Sequence, residues 1–175
     1  KIVDVRTALG ADKVLVMDGG DIMQSTLLSN IMKGVPTIDY YRQIGYDITT
    51  FGNHEFDWGQ AVLADRALQA ADTDPLTPGD PFPMVAANIV AKVGDSCAGW
   101  DHPVLTSSDP LKTYTIEPYK ILDVAGGAVQ VGVIGVGSIE TPYITIAEAT
   151  EGLCFKDPAE SIIHYYDEMV AAGAD

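Results

Sequence analysis

Basic residues are scarce: 10 Lys and Arg stand against 25 Asp and Glu in 175 residues, a formal net charge of −15. A surface of that sign repels phosphate backbones and anionic lipid headgroups, which argues against duplex nucleic acid and membrane surfaces as partners. Cysteine is nearly absent as well. Cys97 and Cys154 lie far apart without a CxxC spacing, so no zinc knuckle or thioredoxin-like redox site is written here. One disulfide and two unpaired buried thiols both fit. No apolar run approaches the roughly 18 residues of a membrane span, and Lys1 opens no signal peptide. Internal repeats and low-complexity tracts are also lacking.

What is present suits one α/β unit. A hydrophobic content of 47% supplies a packed core for a chain of this length. Ile2 to Leu9 reads as a helix tail ending at Gly10, and the apolar run Lys13–Met17 as a buried strand stopping at Asp18-Gly19-Gly20-Asp21. Ser25 to Lys33 reads as a short helix closed by Gly34, and Pro36 opens a second that runs to Gly45. The next strand is Ile48 to Phe51, followed by a helix from Gln60 to Ala71 and an irregular Asp/Thr/Pro/Gly stretch from Asp72 to Pro83. Met84 to Ala87 is a further strand, and Gly94 to Pro110 a surface loop. Tyr114–Val124 and Val129–Ile134 form a hairpin about Ala125-Gly126-Gly127-Ala128. Asp157-Pro158 starts a last helix that runs to Gly173. Alternating strands and helices with one hairpin define the α/β class.

Two successive strand ends carry the chemistry. Asp21 follows one, and Asn53, His54 and Glu55 follow the other. Singly these are ordinary residues: an Asp after glycines caps helices, and Asn and His sit in turns. At one edge of one sheet they place hard oxygen donors beside an imidazole, the combination a metal-assisted hydrolase uses. Asp57, three residues past His54, is placed to orient the ring. Gly132-Val-Ile-Gly-Val-Gly137 lacks the GxGxxG spacing and reads as a buried strand ending in small residues. Tyr40, Tyr41, Tyr165 and Tyr166 read as helix-packing residues, and His102 and His164 as loop and helix residues outside any site.

The stretch Asp18-Gly-Gly-Asp-Ile-Met-Gln-Ser-Thr-Leu-Leu-Ser29 resembles the second motif of the calcineurin-like metallophosphoesterases. Phe51-Gly-Asn-His-Glu-Phe-Asp-Trp-Gly59 resembles their third, in the long form of the 5′-nucleotidase and 2′,3′-cyclic-nucleotide phosphodiesterase branch. Val85-Ala-Ala-Asn-Ile89, Gly132 to Gly135, Glu140-Thr-Pro142 and the closing Ala-Gly-Ala-Asp follow the branch in order. The resemblance covers nearly the whole chain except Gly94 to Pro110.

The resemblance implies a β-sandwich flanked by helices in αββα layers, incomplete at both ends, with residues 1–175 forming part of the metallophosphatase domain. It implies that Asp21 bridges two divalent ions such as Mn or Zn, that Asn53 binds one of them, and that His54, paired with Asp57, steadies the transition state. The activity implied is release of phosphate from nucleotides. A cyclic-nucleotide phosphodiesterase is the alternative within the branch, and a non-catalytic binding module retaining the scaffold is the alternative outside it. An Asp-x-His triplet, later histidine ligands and a nucleotide-recognition domain have no counterpart here; Asp4-Val5-Arg6 is not such a triplet. Weak metal binding and little turnover are therefore expected of these residues alone, with self-association through unpaired sheet edges. An extracytoplasmic location is implied by the resemblance.

Overall fold

The computed structural model describes residues 1–175. Helix α1 (Ile2–Leu9) ends at Gly10, whose φ of 97° reverses the chain into a 3₁₀ turn at Ala11–Lys13. Strand β1 is Met17–Asp18, and helix α2 (Leu27–Ile31) follows, capped by Thr26, whose hydroxyl accepts the Ser29 N–H at 3.2 Å. Helix α3 (Val35–Ile44) carries proline in its first turn and is bounded by the left-handed residues Gly34 and Gly45. Then come β2 (Ile48–Thr50), a 3₁₀ turn at His54–Phe56, helix α4 (Gln60–Ala70), β3 (Met84–Val85) and β4 (Ile89–Ala91). Strands β5 (Val104–Thr106), β6 (Thr113–Thr115), β7 (Tyr119–Val124) and β8 (Val129–Ile134) precede the short helix α5 (Thr141–Ile144). Strand β9 (Leu153–Phe155) leads to helix α6 (Pro158–Ala171), where Asp157 accepts the Glu160 N–H at 3.0 Å.

Strands β1, β2 and β3 form a parallel sheet in that order, with Met17 beside Ile48 and Thr49 beside Met84. Parallel neighbours end at the same edge, so the segments leaving β1 and β2 emerge side by side there. The α4 face bearing Leu63, Ala64, Ala67 and Ala70 is fully buried and packs into one core with Phe51, Phe56, Phe82 and Met84. Antiparallel pairs β4–β9, β5–β6 and β7–β8 complete the sheet structure, so strand pairing is divided among four small sheets.

Arg42 of α3 is 1% exposed, yet no carboxylate bonds to it. Its guanidinium donates to the carbonyls of Gln69 and Ala70 at the end of α4 and to those of Pro78 and Gly79 in the following loop. A cation at that position meets the negative end of the helix dipole and satisfies carbonyls that have no partner within the helix.

Several boundaries differ from the sequence reading. The run Lys13–Met17 is apolar, but pairing with β2 begins only at Met17, because Lys13 belongs to the 3₁₀ turn. Within the expected loop Gly94–Pro110, Val104–Thr106 pairs with Thr113–Thr115, and Tyr114 belongs to that small sheet and not to the hairpin. The β4–β9 pairing joins segments distant in sequence and is invisible to local pattern.

Cys97 and Cys154 are joined by a disulfide with their Cα atoms 5.7 Å apart, which resolves the open choice between a bridge and free thiols. It anchors the 92–101 segment to β9. Replacing both cysteines by serine is expected to lower stability by about 2–4 kcal/mol, through the freedom returned to the unfolded chain. Urea denaturation of the double variant against the oxidised protein measures it.

Candidate active site

The segments leaving β1 and β2 are locked together by one side chain. Glu55, 1% exposed, accepts the Asp21 N–H at 2.8 Å and the Gly52 N–H at 2.6 Å through Oε2. Its Oε1 accepts from Ile22 at 2.8 Å and Met23 at 3.3 Å. Burial pushes its pKa up, while the N–H groups of residues 21, 52 and 22 hold it down. Four donors converging on two oxygens call for the ionised, acceptor-only form.

The turn itself is tight. Gly20 lies in the left-handed region at φ 92°, and a Cβ there would run into the backbone nitrogen of Gly52. Asp21 follows at φ 60°, a conformation rarely held by a residue with a side chain. A Cβ at Gly52 would in turn strike the Asp21 carboxylate, so the two glycines are what allow the loops to touch.

Asp21 does not cap a helix. That task falls to Thr26, and Asp21 Oδ1 instead accepts the His54 N–H at 3.0 Å. Asn53 opens the 3₁₀ turn with its backbone carbonyl and makes no side-chain cap, which leaves its amide uncommitted. The His54 ring faces Asp57, with Nδ1 at 2.7 Å from Oδ2. An ionised Asp57 makes Nδ1 the donor and leaves Nε2 for a ligand. Its hydrogen bond to Asp57 raises the imidazole pKa above the usual 6.5 or so, the charges of Asp57, Asp21 and Glu55 add to the rise, and desolvation opposes it.

The structure thus brings Asp21, Asn53, His54 and Asp57 to one rim, as the motif spacing suggests. Glu55 is the residue whose part the sequence does not assign: it sits inside the motif, but only its burial and four N–H partners reveal the task. His164 stacks on Trp100 at 4.0 Å, and His102 lies beside Tyr165 at 5.9 Å, both away from the rim. Gly132 packs against Met169 and Gly135 against Val85, consistent with a close-packed strand and not a nucleotide loop.

The donor chemistry at the rim, one carboxylate and one amide, suits a hard or borderline divalent cation. No group of three or more His, Cys, Asp or Glu side chains that could hold a metal ion is found in the chain.

Parallel strands thus deliver these residues to a shared edge of an α/β domain. No family model matches the chain. Bovine (Bos taurus) 5′-nucleotidase is 34% identical over 156 residues, covering 89% of this chain and 23% of the relative. The solved 5′-nucleotidase precursor of Thermus thermophilus superposes with a TM-score of 0.72 at 28% identity, over 99% of this chain and 28% of that one. The calcineurin-like phosphoesterase YfkN of Bacillus subtilis shares the fold, at 22% identity with a TM-score of 0.63 over 99% of this chain and 50% of that one. The chain is similar to 5′-nucleotidases over about nine tenths of its length. It spans about a quarter of the length of the curated relatives it matches.

Proposed function

We propose that the protein hydrolyses phosphoesters, with nucleoside 5′-phosphates as the substrate class. The observation that carries this reading is the contact between Asp21 and His54, with Asp57 behind the ring, which sets a carboxylate and an oriented imidazole on one rim. His54 holds its proton through Asp57 and offers Nε2–H to a phosphoryl oxygen on which negative charge grows. Asp21 and Asn53 would hold divalent ions, Mn or Zn by resemblance, with further ligands supplied from outside the rim. Such ions, when bound, neutralise phosphate charge that a protein of net charge −15 otherwise repels.

An extracytoplasmic site of action is supported by the Cys97–Cys154 disulfide, since such bonds persist in oxidising compartments. No helix is long and apolar enough to cross a membrane. Self-association through the edge of β1, where Met17 is 54% exposed, belongs to the same reading.

The test is phosphate release from adenosine 5′-monophosphate with added Mn²⁺, by the protein expressed with its flanking sequence. His54→Ala is expected to lower kcat by on the order of 10²-fold or more, the scale of losing a general acid or charge stabiliser. An unchanged rate removes His54 from the mechanism. No metal-dependent turnover in the wild type would favour a binding module that retains the scaffold.

A further inference from the structure

Tyr41 lies on α3, outside both loop motifs, yet its hydroxyl donates to Asp18 Oδ2 at 3.0 Å. Asp18 ends β1, and its other oxygen, Oδ1, accepts the Gly20 N–H at 2.9 Å. One carboxylate thus joins a helix to the turn that presents Asp21. The ring has little freedom to leave: it stacks on Tyr46 with centroids 3.9 Å apart and planes 9° apart, and Phe82 lies 6.1 Å away. Desolvation and the adjacent Asp18 carboxylate push the Tyr41 pKa above its usual value, so the hydroxyl keeps its proton and remains a donor.

The turn needs such a restraint. Gly20 and Asp21 are consecutive residues at positive φ; glycine adopts this freely, but for Asp21 it is strained backbone, which persists only where its surroundings over-determine it. Glu55 holds the turn from the β2 side through the N–H groups of residues 21 to 23. From the α3 side the only side-chain bond to residue 20 comes from Asp18, and Tyr41 fixes the rotamer that makes it.

We propose that Tyr41 is a positioning residue for the rim, acting through Asp18 to fix the Gly19-Gly20-Asp21 turn and hence the Asp21 carboxylate against the His54 N–H. The word positioning rests on the proposed function; the clamp itself does not. Two carboxylate oxygens are divided between two duties, one toward the helix and one toward the turn, so removing the helix partner leaves Asp18 free to rotate and Gly20 without its acceptor.

Tyr41→Phe deletes the hydroxyl and keeps the stacked ring, so it is the direct test. Amide hydrogen exchange is measured by NMR on the chain, with the α6 amides as reference. Exchange at Gly20, Asp21 and His54 is expected to quicken about tenfold, the scale of one net hydrogen bond, with α6 unchanged. Asp18→Ala is expected to match it. Asp18→Asn is expected to restore near-normal exchange, because its oxygen can still accept from Gly20 while its amide donates to the tyrosine oxygen. Unchanged exchange at residues 20, 21 and 54 in Tyr41→Phe, or a uniform rise that includes α6, overturns the clamp. In the phosphate-release assay Tyr41→Phe is expected to lower kcat/KM about tenfold, the same hydrogen-bond scale carried to the transition state. A wild type without turnover sinks the functional reading, and the clamp is then judged on exchange alone.

Discussion

Glu55→Ala is expected to destabilise the protein by about 3–5 kcal/mol, the range found when one partner of a buried charged arrangement is removed. The carboxylate receives four backbone N–H groups and is almost wholly shielded from water. Alanine leaves those donors facing an apolar gap, and each unsatisfied buried donor costs about 1–3 kcal/mol before relaxation. Some of that loss is offset, because the carboxylate no longer has to be desolvated beside Asp21, whose charge adds to the rise in its pKa. Glu55→Gln separates the two contributions. It preserves shape, but turns an amide NH₂ toward backbone N–H groups, so at least one pair of donors confronts a donor. A loss close to that of alanine is therefore expected, and Glu55→Asp is expected to fall short in reach. Urea unfolding that finds Glu55→Ala and Glu55→Gln both within about 1 kcal/mol of wild type, the size of one net hydrogen bond, would show that the backbone donors are satisfied by other means.

The consequence for the rim is sharper than the number. Oε2 is shared by Asp21 N–H and Gly52 N–H, one from each strand end. Without it, the contact between the Asp21 carboxylate and the His54 N–H is left to hold the two loops together, along with the close fit of Gly20 on Gly52. A rim assembled by a single buried anion explains why the residues that face outward, Asp21, Asn53 and His54, need no core of their own.

How much of this was legible follows from the range of each interaction. Helix α1 and the ends of α3 are marked by glycines that must adopt positive φ, a strictly local requirement, and they fall where the sequence puts them. The strand ends carrying Asp21 and His54 are local too, since an apolar run followed by glycines is enough to mark them. Strand β5 was missed because Val104-Leu105-Thr106, set between Pro103 and Ser107-Ser108, is too short to show a period. The β4–β9 pair and the disulfide next to it depend on contacts between residues tens of positions apart. Two cysteines in a chain permit a bridge; only the fold brings their Cα atoms to 5.7 Å. Glu55 and Arg42 share a different obscurity. A charged residue in a loop or an amphipathic helix reads as solvated, and burial with backbone partners leaves no mark on the sequence pattern.

Arg42→Ala is expected to cost about 1–3 kcal/mol, the scale for leaving buried carbonyls without a donor: those of Pro78 and Gly79 lose their side-chain partner, while Gln69 and Ala70 keep the N–H groups of Asp72 and Phe82. The guanidinium closes the end of α4 through Gln69 O at 3.0 Å and Ala70 O at 2.9 Å, and ties down the loop through Pro78 O and Gly79 O, each at 3.2 Å. Its own carbonyl accepts the Asp80 N–H at 3.0 Å, so side chain and backbone grip the same loop. Because the partners are four carbonyls spread around a planar fork, Arg42→Lys is expected to recover less than half of the loss. An ammonium has three donors and no plane, and it would have to stay charged in a site shielded from water. The buried face of α4, with Leu63, Ala64, Ala67 and Ala70, packs in the same core as Phe51 and Phe56, which flank the rim motif. Loosening the end of α4 therefore weakens the wall on which the rim stands. Denaturant unfolding should show Arg42→Lys closer to Arg42→Ala than to wild type. Full recovery by lysine would mean that the positive charge at the helix end, and not the geometry of the fork, sets the stability of this loop.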